Sequence, residues 1–343
     1  MAAEQATRLE RLRVPTRSSG TKSVVRNRSA TKRGTSVSAK WNLRRAGSLQ
    51  ILEAPALARF NWLVHGFSTR PDGVSELKAL RDGHDTCERV LNLGFTDWDT
   101  RERVRDSREK FFSAIDASKM RVVSLRQIHS DIVHVVGSAN ESRSGSNSRE
   151  TAPQGDALIT REPGVVLVIP TADCVPILLA DPKRRAIAAI HSGWRGTVRR
   201  IAAKALGRMQ MDFGTKPEYV VAALGPGIGQ SCYEVGTEVA AEFQAQFPNA
   251  RDWFEGPFDR LADGDNDPNW LPWLTMKPPG HQPPSPRVQL DLIAANRAIL
   301  EVAGIPARNI SSSGFCTACR TDLFFSFRKE RTTGRMMAAI GSR

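Results

Sequence analysis

The chain has 343 residues, 40% of them hydrophobic, which is enough to bury a substantial core and excludes wholesale disorder. No run of about 18 apolar residues occurs, and no charged-then-apolar leader opens the sequence, so a membrane-spanning helix and routine export are not expected; we expect a soluble, cytoplasmic protein. The net charge of +13 resembles a nucleic-acid footprint, but residues 1–48 hold twelve Lys/Arg against only Glu4 and Glu10, which leaves +3 for the remainder and no broad basic surface there for specific nucleic-acid binding.

In chain order, residues 1–55 read as a disordered basic extension, rich in Arg, Lys, Ser and Thr and without a sustained period. Such a segment also has the composition of an organelle transit peptide. Residues 56–343 read as the folded part, where apolar β-rich runs alternate with helical patterns as in an α/β protein. Strands are expected at Arg121–Leu125, Asp131–Val136, Val165–Ile169, Pro176–Ala180 and Ala186–Ile190, several of them apolar throughout, as in sheets covered on both faces. Helices are expected at Arg101–Ala117, from after Ser192 to about Met211, at Glu234–Phe247, and at Asp291–Ala303 before Gly304 and Pro306. Glu141–Gly155 and the Pro-rich Gly256–Arg287 read as loops.

Three short segments carry candidate chemistry. Gln127-Ile128-His129-Ser130 lies between two strand-like runs, Ala172-Asp173-Cys174 is a polar turn entering a strand, and His191-Ser192-Gly193-Trp194-Arg195-Gly196 joins an apolar strand to a helical pattern. Two imidazoles and a thiolate form a three-ligand set for Zn²⁺ that keeps a fourth position for substrate, as catalytic sites do. The separations of 45 and 17 residues form no compact motif, and the same residues equally suit a polar turn with a buried Cys and His. Ser192, Gly193 and Arg195 at the strand-to-helix turn suit an anion through backbone N–H groups, the helix dipole and a guanidinium. Asp173, beside Cys174, is a candidate proton carrier.

His134 is expected to point away from His129, since residues five apart on a strand face opposite sides. His65 and His84 read as loop residues. The five cysteines are an odd number, which disfavours a disulfide framework and favours a reducing compartment. Cys316-Thr317-Ala318-Cys319 has the spacing of a redox pair or of half a zinc site, with no second C-x-x-C to complete it. Phe324-Phe325-Ser326-Phe327-Arg328, followed by Gly334-Arg335, reads either as a base-stacking wall with phosphate-binding Arg328 and Arg335 or as a core strand with solvated arginines.

The runs His65-Gly66-Phe67-Ser68-Thr69-Arg70, Leu91-Asn92-Leu93-Gly94, Gln127-Ile128-His129, Gly155-Asp156-Ala157, Ala172-Asp173-Cys174, His191-Ser192-Gly193-Trp194-Arg195-Gly196, Gly225-Pro226-Gly227-Ile228, Cys232-Tyr233-Glu234-Val235 and Phe325-Ser326 with Gly334-Arg335 resemble the laccase-domain, YfiH-like purine nucleoside phosphorylase family. Older names for it are polyphenol oxidase and peptidoglycan editing factor. The resemblance spans residues 60 to 341 in unbroken order. It implies that residues 56–343 form a single layered catalytic α/β domain with mixed β-sheets and flanking helices, with a zinc site at His129, Cys174 and His191, phosphorolysis of adenosine, inosine, guanosine and methylthioadenosine, and adenosine deamination. The partners it implies are purine nucleosides and phosphate. Phe327 and Lys329-Glu330 depart from the family pattern, which bears on substrate preference.

Other readings of the same ligands remain open. His₂Cys is also a copper set, although a multicopper oxidase needs many more than six histidines. A Cys174–His191 pair suits a Cys–His hydrolase. A binding module that recruits nucleic acid or an acidic partner through its basic tail is the non-enzymatic reading.

Overall fold

Apolar residues of both parities fill the central strands, and the two parities join different clusters. Along Val165–Thr171, Val166 and Val168 pack in one cluster while Val165, Leu167 and Ile169 pack in another. Along Val175–Asp181, Ile177 and Leu179 face one way and Leu178 and Ala180 the other. Side chains alternate across a strand, so each sheet must be covered twice. The computed structural model describes residues 40–81, 84–137, 152–256 and 287–343.

Two six-stranded sheets provide the covering. The first runs in the order Asn42–Ala46, Leu49–Glu53, Leu63–Ser68, Met336–Ser342, Val165–Thr171, Arg121–Val123, antiparallel except at its last pair. The second runs Ile310–Ser312, Val221–Leu224, Val175–Asp181, Ala186–Ser192, Ala157–Thr160, Val133–Val135, antiparallel at its centre and parallel at both edges. Leu52, Phe67, Leu167 and Ile340 of the first sheet share one cluster with Leu158, Leu178, Ile187 and Val221 of the second. Helix Arg101–Ala114 covers the outer face of the first sheet with Phe111 and Phe112. Helices Ile201–Phe213, Thr237–Gln246 and Leu292–Val302 cover the second. Each fully buried Leu, Ile or Phe contributes about 1.5–3 kcal/mol, so this layer of mixed sheets and flanking helices is the expected α/β class.

Several boundaries differ from the sequence reading. Asn42–Ala46 and Leu49–Glu53 are paired strands inside the expected 1–55 extension, and residues 1–39 lie outside the described residues. The outer strand is half exposed and carries Arg44 and Arg45, so no apolar period marks it. The helix expected from Ser192 to Met211 is two helices, Trp194–Val198 and Ile201–Phe213, because Arg200 adopts a left-handed conformation while its guanidinium reaches the Gln246 carbonyl and the Phe247 ring. Glu234–Gly236 begins the expected Glu234–Phe247 helix as a strand paired with Arg287–Leu290. Most of the expected loop Glu141–Gly155, and the interior of Gly256–Arg287 with His281, lie outside the described residues.

His65 and His84 are strand residues, not loop residues. His65 is buried, and its Nε2 accepts the Ala54 N–H at 3.0 Å. Burial holds this imidazole down at about 4, from 6.5, and an acceptor nitrogen must in any case be unprotonated. Between those values the unfolded chain takes up a proton that the folded chain refuses, so acidification destabilises the fold. We expect the His65 contribution to stability, complete above about pH 6.5, to shrink by about 3 kcal/mol as the pH falls to 4. Denaturant titrations of wild type and His65→Gln should diverge in pH slope only within that window; parallel slopes would remove His65 as the cause.

Candidate metal centre

The second sheet brings three chain segments together at one end. Val175 pairs with Ser192 and Pro176 with His191, so Cys174, one residue before its strand, falls beside the end of the neighbouring strand. On the other flank, Ile190 pairs with Ala157, and the His191 N–H donates to the Asp156 carbonyl at 2.7 Å. Antiparallel register thus turns the 17-residue gap between Cys174 and His191 into adjacency.

Asp156 supplies the third segment. Its carboxylate is fully buried and accepts the N–H groups of Ile128, His129 and Ser130 at 3.3, 3.1 and 2.6 Å, the Ser130 hydroxyl at 2.7 Å and His191 Nδ1–H at 2.8 Å. Burial opposes the charge, but these donors, His191 and Ser130 foremost, outweigh it and hold the carboxyl at about 2. Three successive backbone N–H groups wrapped on one anion form a nest, which explains the left-handed φ of 57° at His129. Because Asp156 engages Nδ1 of His191, the other ring nitrogen is the one left for a ligand role.

The ligand atoms of His129, Cys174 and His191 lie within 4.8 Å of one another, with Cys174 Sγ 3.9 Å from His129 Nε2. A Cβ on Gly193 would stand 2.8 Å from Cys174 Sγ and 3.3 Å from His129 Cδ2, so only glycine admits both ligands. His129 and His191 pull the Cys174 thiol well below its ordinary range against the effect of burial, and the thiolate with Asp156 pushes the His191 imidazole up. Two nitrogens and one thiolate, converging with a carboxylate behind one imidazole, fit a borderline-soft ion that keeps an open position, and its entry releases the His191 proton.

The other expected site residues are placed as follows. Asp173 has a left-handed φ of 87°, and its carboxylate accepts the Thr317 hydroxyl and the Arg328 N–H, both at 2.6 Å, which ties the Cys174 turn to the C-terminal segment. The buried Ser192 hydroxyl donates to Asn296 Oδ1 at 2.8 Å. Arg195 is exposed and stacks on Trp194 at 4.4 Å. The Arg328 guanidinium donates to the Glu234 carbonyl at 2.7 Å and lies 5.0 Å from the Tyr233 ring. Burial pushes the Tyr233 phenol up and the Cys174 charge adds to this, whereas the Arg328 guanidinium against its ring acts the other way.

Arg335 is elsewhere. It lines a cavity of about 490 Å³ with Phe95, Trp98, Arg108, Gln127 and Phe327, and none of the three clustered ligands lines that cavity. The aromatic run is neither a wall nor a strand: Phe324 and Phe325 are buried in the core, and Phe327 is exposed at the start of helix Phe327–Glu330. Glu330 is held by the buried Arg70, at 2.6 Å, and so fastens this segment to the first sheet.

His134 stays outside the cluster, with Nε2 2.8 Å from the Gln154 carbonyl. Strand parity is not the reason, since His129 precedes the strand Val133–Val135 in its left-handed turn. Asp156, Tyr233 and Thr317 had no assigned role in the sequence. The available signal for Asp156 was an acid at the entrance of the strand Ala157–Thr160, which opens on the apolar run Ala157-Leu158-Ile159.

Residues 64–343 match the sequence model of the family described as multi-copper polyphenol oxidoreductase laccase. A protein of Deinococcus radiodurans named purine nucleoside phosphorylase is 35% identical over 301 residues, 86% of this chain and 94% of that one. A protein from an unknown prokaryote named adenosine deaminase RL5 is 33% identical over 266 residues, 77% of this chain and 91% of its own. The crystal structure of the Bacillus licheniformis hypothetical protein YfiH superposes with a TM-score of 0.71 at 28% identity, covering 88% of this chain and 99% of that one. That of YlmD from Geobacillus stearothermophilus gives 0.68 at 29%, covering 88% and 98%. Among the described residues no helix is long and apolar enough to cross a membrane. With the fold, the His–Cys–His cluster and this similarity over most of its length, the chain belongs to the laccase-domain, YfiH-like purine nucleoside phosphorylase family.

Proposed function

We propose that this protein is a zinc-dependent purine nucleoside phosphorylase, acting on adenosine, inosine, guanosine and methylthioadenosine, that also deaminates adenosine. The observation that carries this reading is the convergence of His129, Cys174 and His191 within 4.8 Å of one another, with Arg195 on the turn that follows His191 and the Arg328 N–H bound to Asp173 beside Cys174. His129, Cys174 and His191 hold the ion, which supplies Lewis-acid polarisation when bound. Arg195 and Arg328 orient phosphate for attack on the anomeric carbon, where holding both reactants supplies much of the rate. Gly193 keeps the approach to Cys174 clear, and Asp173 braces the turn while Asp156 fixes the His191 tautomer. Ser192 and Gly193 contribute to the phosphate site through the backbone N–H groups of their turn, the Ser192 hydroxyl being engaged by Asn296. Arg335 and the exposed Phe327 contact the nucleoside from the adjoining cavity. The free cysteines suit a reducing cytoplasm. No specific nucleic-acid role is assigned.

The deciding experiment incubates metal-defined protein with each nucleoside, with and without phosphate, and identifies the products. Free base with ribose 1-phosphate, or with 5-methylthioribose 1-phosphate from methylthioadenosine, formed only with phosphate, is expected, together with inosine from adenosine in its absence. Phenol oxidation that follows copper loading, without nucleoside turnover, would replace this reading by the copper oxidase.

A second reading has one observation in its favour: Cys174, His191 and Asp156 are connected as a nucleophile, base and orienting acid would be. His129 has no part in such a relay, and chelator-insensitive activity abolished by alkylation would be needed to adopt it.

Arg195 tests the phosphate assignment. Its guanidinium has no carboxylate partner among the described residues, so replacing it disturbs little of the fold. Arg195→Ala should raise the KM for phosphate about tenfold or more, the equivalent of one charge-assisted hydrogen bond, with zinc content unchanged and deamination much less affected. Equal loss of both reactions at unchanged stability would move Arg195 to the nucleoside.

A further inference from the structure

We propose that Cys232, Cys316 and Cys319 form a second metal site, separate from the His–Cys–His cluster, that takes Zn²⁺ as a tris-thiolate with solvent as fourth ligand. The three sulfurs come from two distant segments, the short turn Gln230–Cys232 and the loop Cys316–Cys319, and lie within 4.8 Å of one another, with Cys232 and Cys319 3.3 Å apart. Tetrahedral zinc with bonds of about 2.3 Å holds its sulfurs about 3.8 Å apart, so small side-chain adjustments close this set on one ion.

The backbone around Cys316 is built for a thiolate. Its Sγ accepts the Gly229 N–H at 3.1 Å. An N–H group aimed at the first sulfur of a C-x-x-C loop offsets part of the charge that metal binding leaves on it. The loop is seated on the Gly225–Gly229 turn: Gly227 and Cys316 form a parallel bridge, and Thr317 N–H donates to the Gly227 carbonyl at 3.0 Å. A Cβ on Gly229 would stand 3.1 Å from Cys316 Cβ, so glycine sets this closeness. Apolar packing accounts for Cys232 and Cys316, which touch the core, but not for Cys319, which is exposed and still turns its sulfur to the other two.

Binding replaces three thiol protons by one divalent cation, with no change of oxidation state. The site adjoins the first one, since Thr317, inside the loop, donates to Asp173 beside Cys174. The inference does not rest on the nucleoside reading.

The test uses reduced, metal-stripped full chain, titrated with zinc alone against a chromophoric chelator. Wild type should take up about two equivalents; Cys319→Ser and Cys232→Ser should each take up one, as should Cys174→Ser, and the Cys174→Ser/Cys319→Ser double variant none. In the Cys174→Ser background, zinc should protect Cys232, Cys316 and Cys319 from alkylation, read by peptide mass. Circular dichroism confirms folding, and the exposed Cys319 provides the variant least able to disturb it. A single equivalent in wild type that is lost in Cys174→Ser, or a zinc content undiminished in Cys319→Ser, overturns the proposal. So does a purified chain lacking two hydrogens through a Cys232–Cys319 disulfide that persists beside excess zinc, which would make the trio a dithiol pair.

Discussion

Cys174→Ser should leave a folded protein that no longer retains zinc at the His129–His191 cluster and turns over nucleoside slower by a factor on the order of a thousand. The size follows from losing the one anionic ligand of three: a deficit of about 4 kcal/mol in ion binding is about a thousandfold in occupancy at limiting metal. Serine removes little volume, and Cys174 belongs to none of the three apolar clusters, so stability should fall by only about 1 kcal/mol. Metal analysis, circular dichroism and product assays on one preparation check all three parts. Full zinc content with full activity would remove Cys174 from the site. Full zinc content with no activity would favour the thiolate nucleophile, because that role needs the sulfur and not the ion.

The second large effect is expected at a residue that touches no substrate. Asp156→Asn keeps the volume but presents an NH₂ group to donors that all require an acceptor: three backbone N–H groups, the Ser130 hydroxyl and His191 Nδ1–H. Buried donors left without acceptors cost about 1–3 kcal/mol each, so the fold should lose about 3 kcal/mol after local rearrangement. The left-handed turn at His129 depends on the same carboxylate, and His191 loses the partner that selects its tautomer. Zinc affinity should therefore drop at least about tenfold to a hundredfold, as when a carboxylate behind a metal-bound histidine is removed. Competition titration gives the affinity and denaturant midpoints give the stability. An unchanged affinity beside a lowered stability would reduce Asp156 to a structural residue.

Much of the architecture is local information. Val165–Thr171, Val175–Asp181 and Ala186–Ser192 announce themselves as doubly covered strands because β-branched and aliphatic residues occupy both parities. Helix Leu292–Val302 announces itself by the Asp291 cap, whose side chain accepts the Ala294 N–H, and by Gly304 beyond its end. Met336–Ser342 does not: its Met, Ala, Gly and Ser residues have little strand preference, and it becomes a central strand only because Leu63–Ser68 and Val165–Thr171 flank it.

The residue types of the metal cluster, and the turns that present them, were determined by the sequence alone, because periodicity and turn chemistry act over a few residues. Which residues meet was decided by the tertiary structure. Register between neighbouring strands brought Cys174 to His191 and placed Asp156 behind it, and the path of the C-terminal segment separated Arg328 from Arg335 although only six residues lie between them. The same long-range packing supplied Cys232 as the third sulfur beside a C-x-x-C that looked incomplete. Such contacts depend on the free energy of whole layers closing on one another, and no window of sequence short enough to show a period contains both partners.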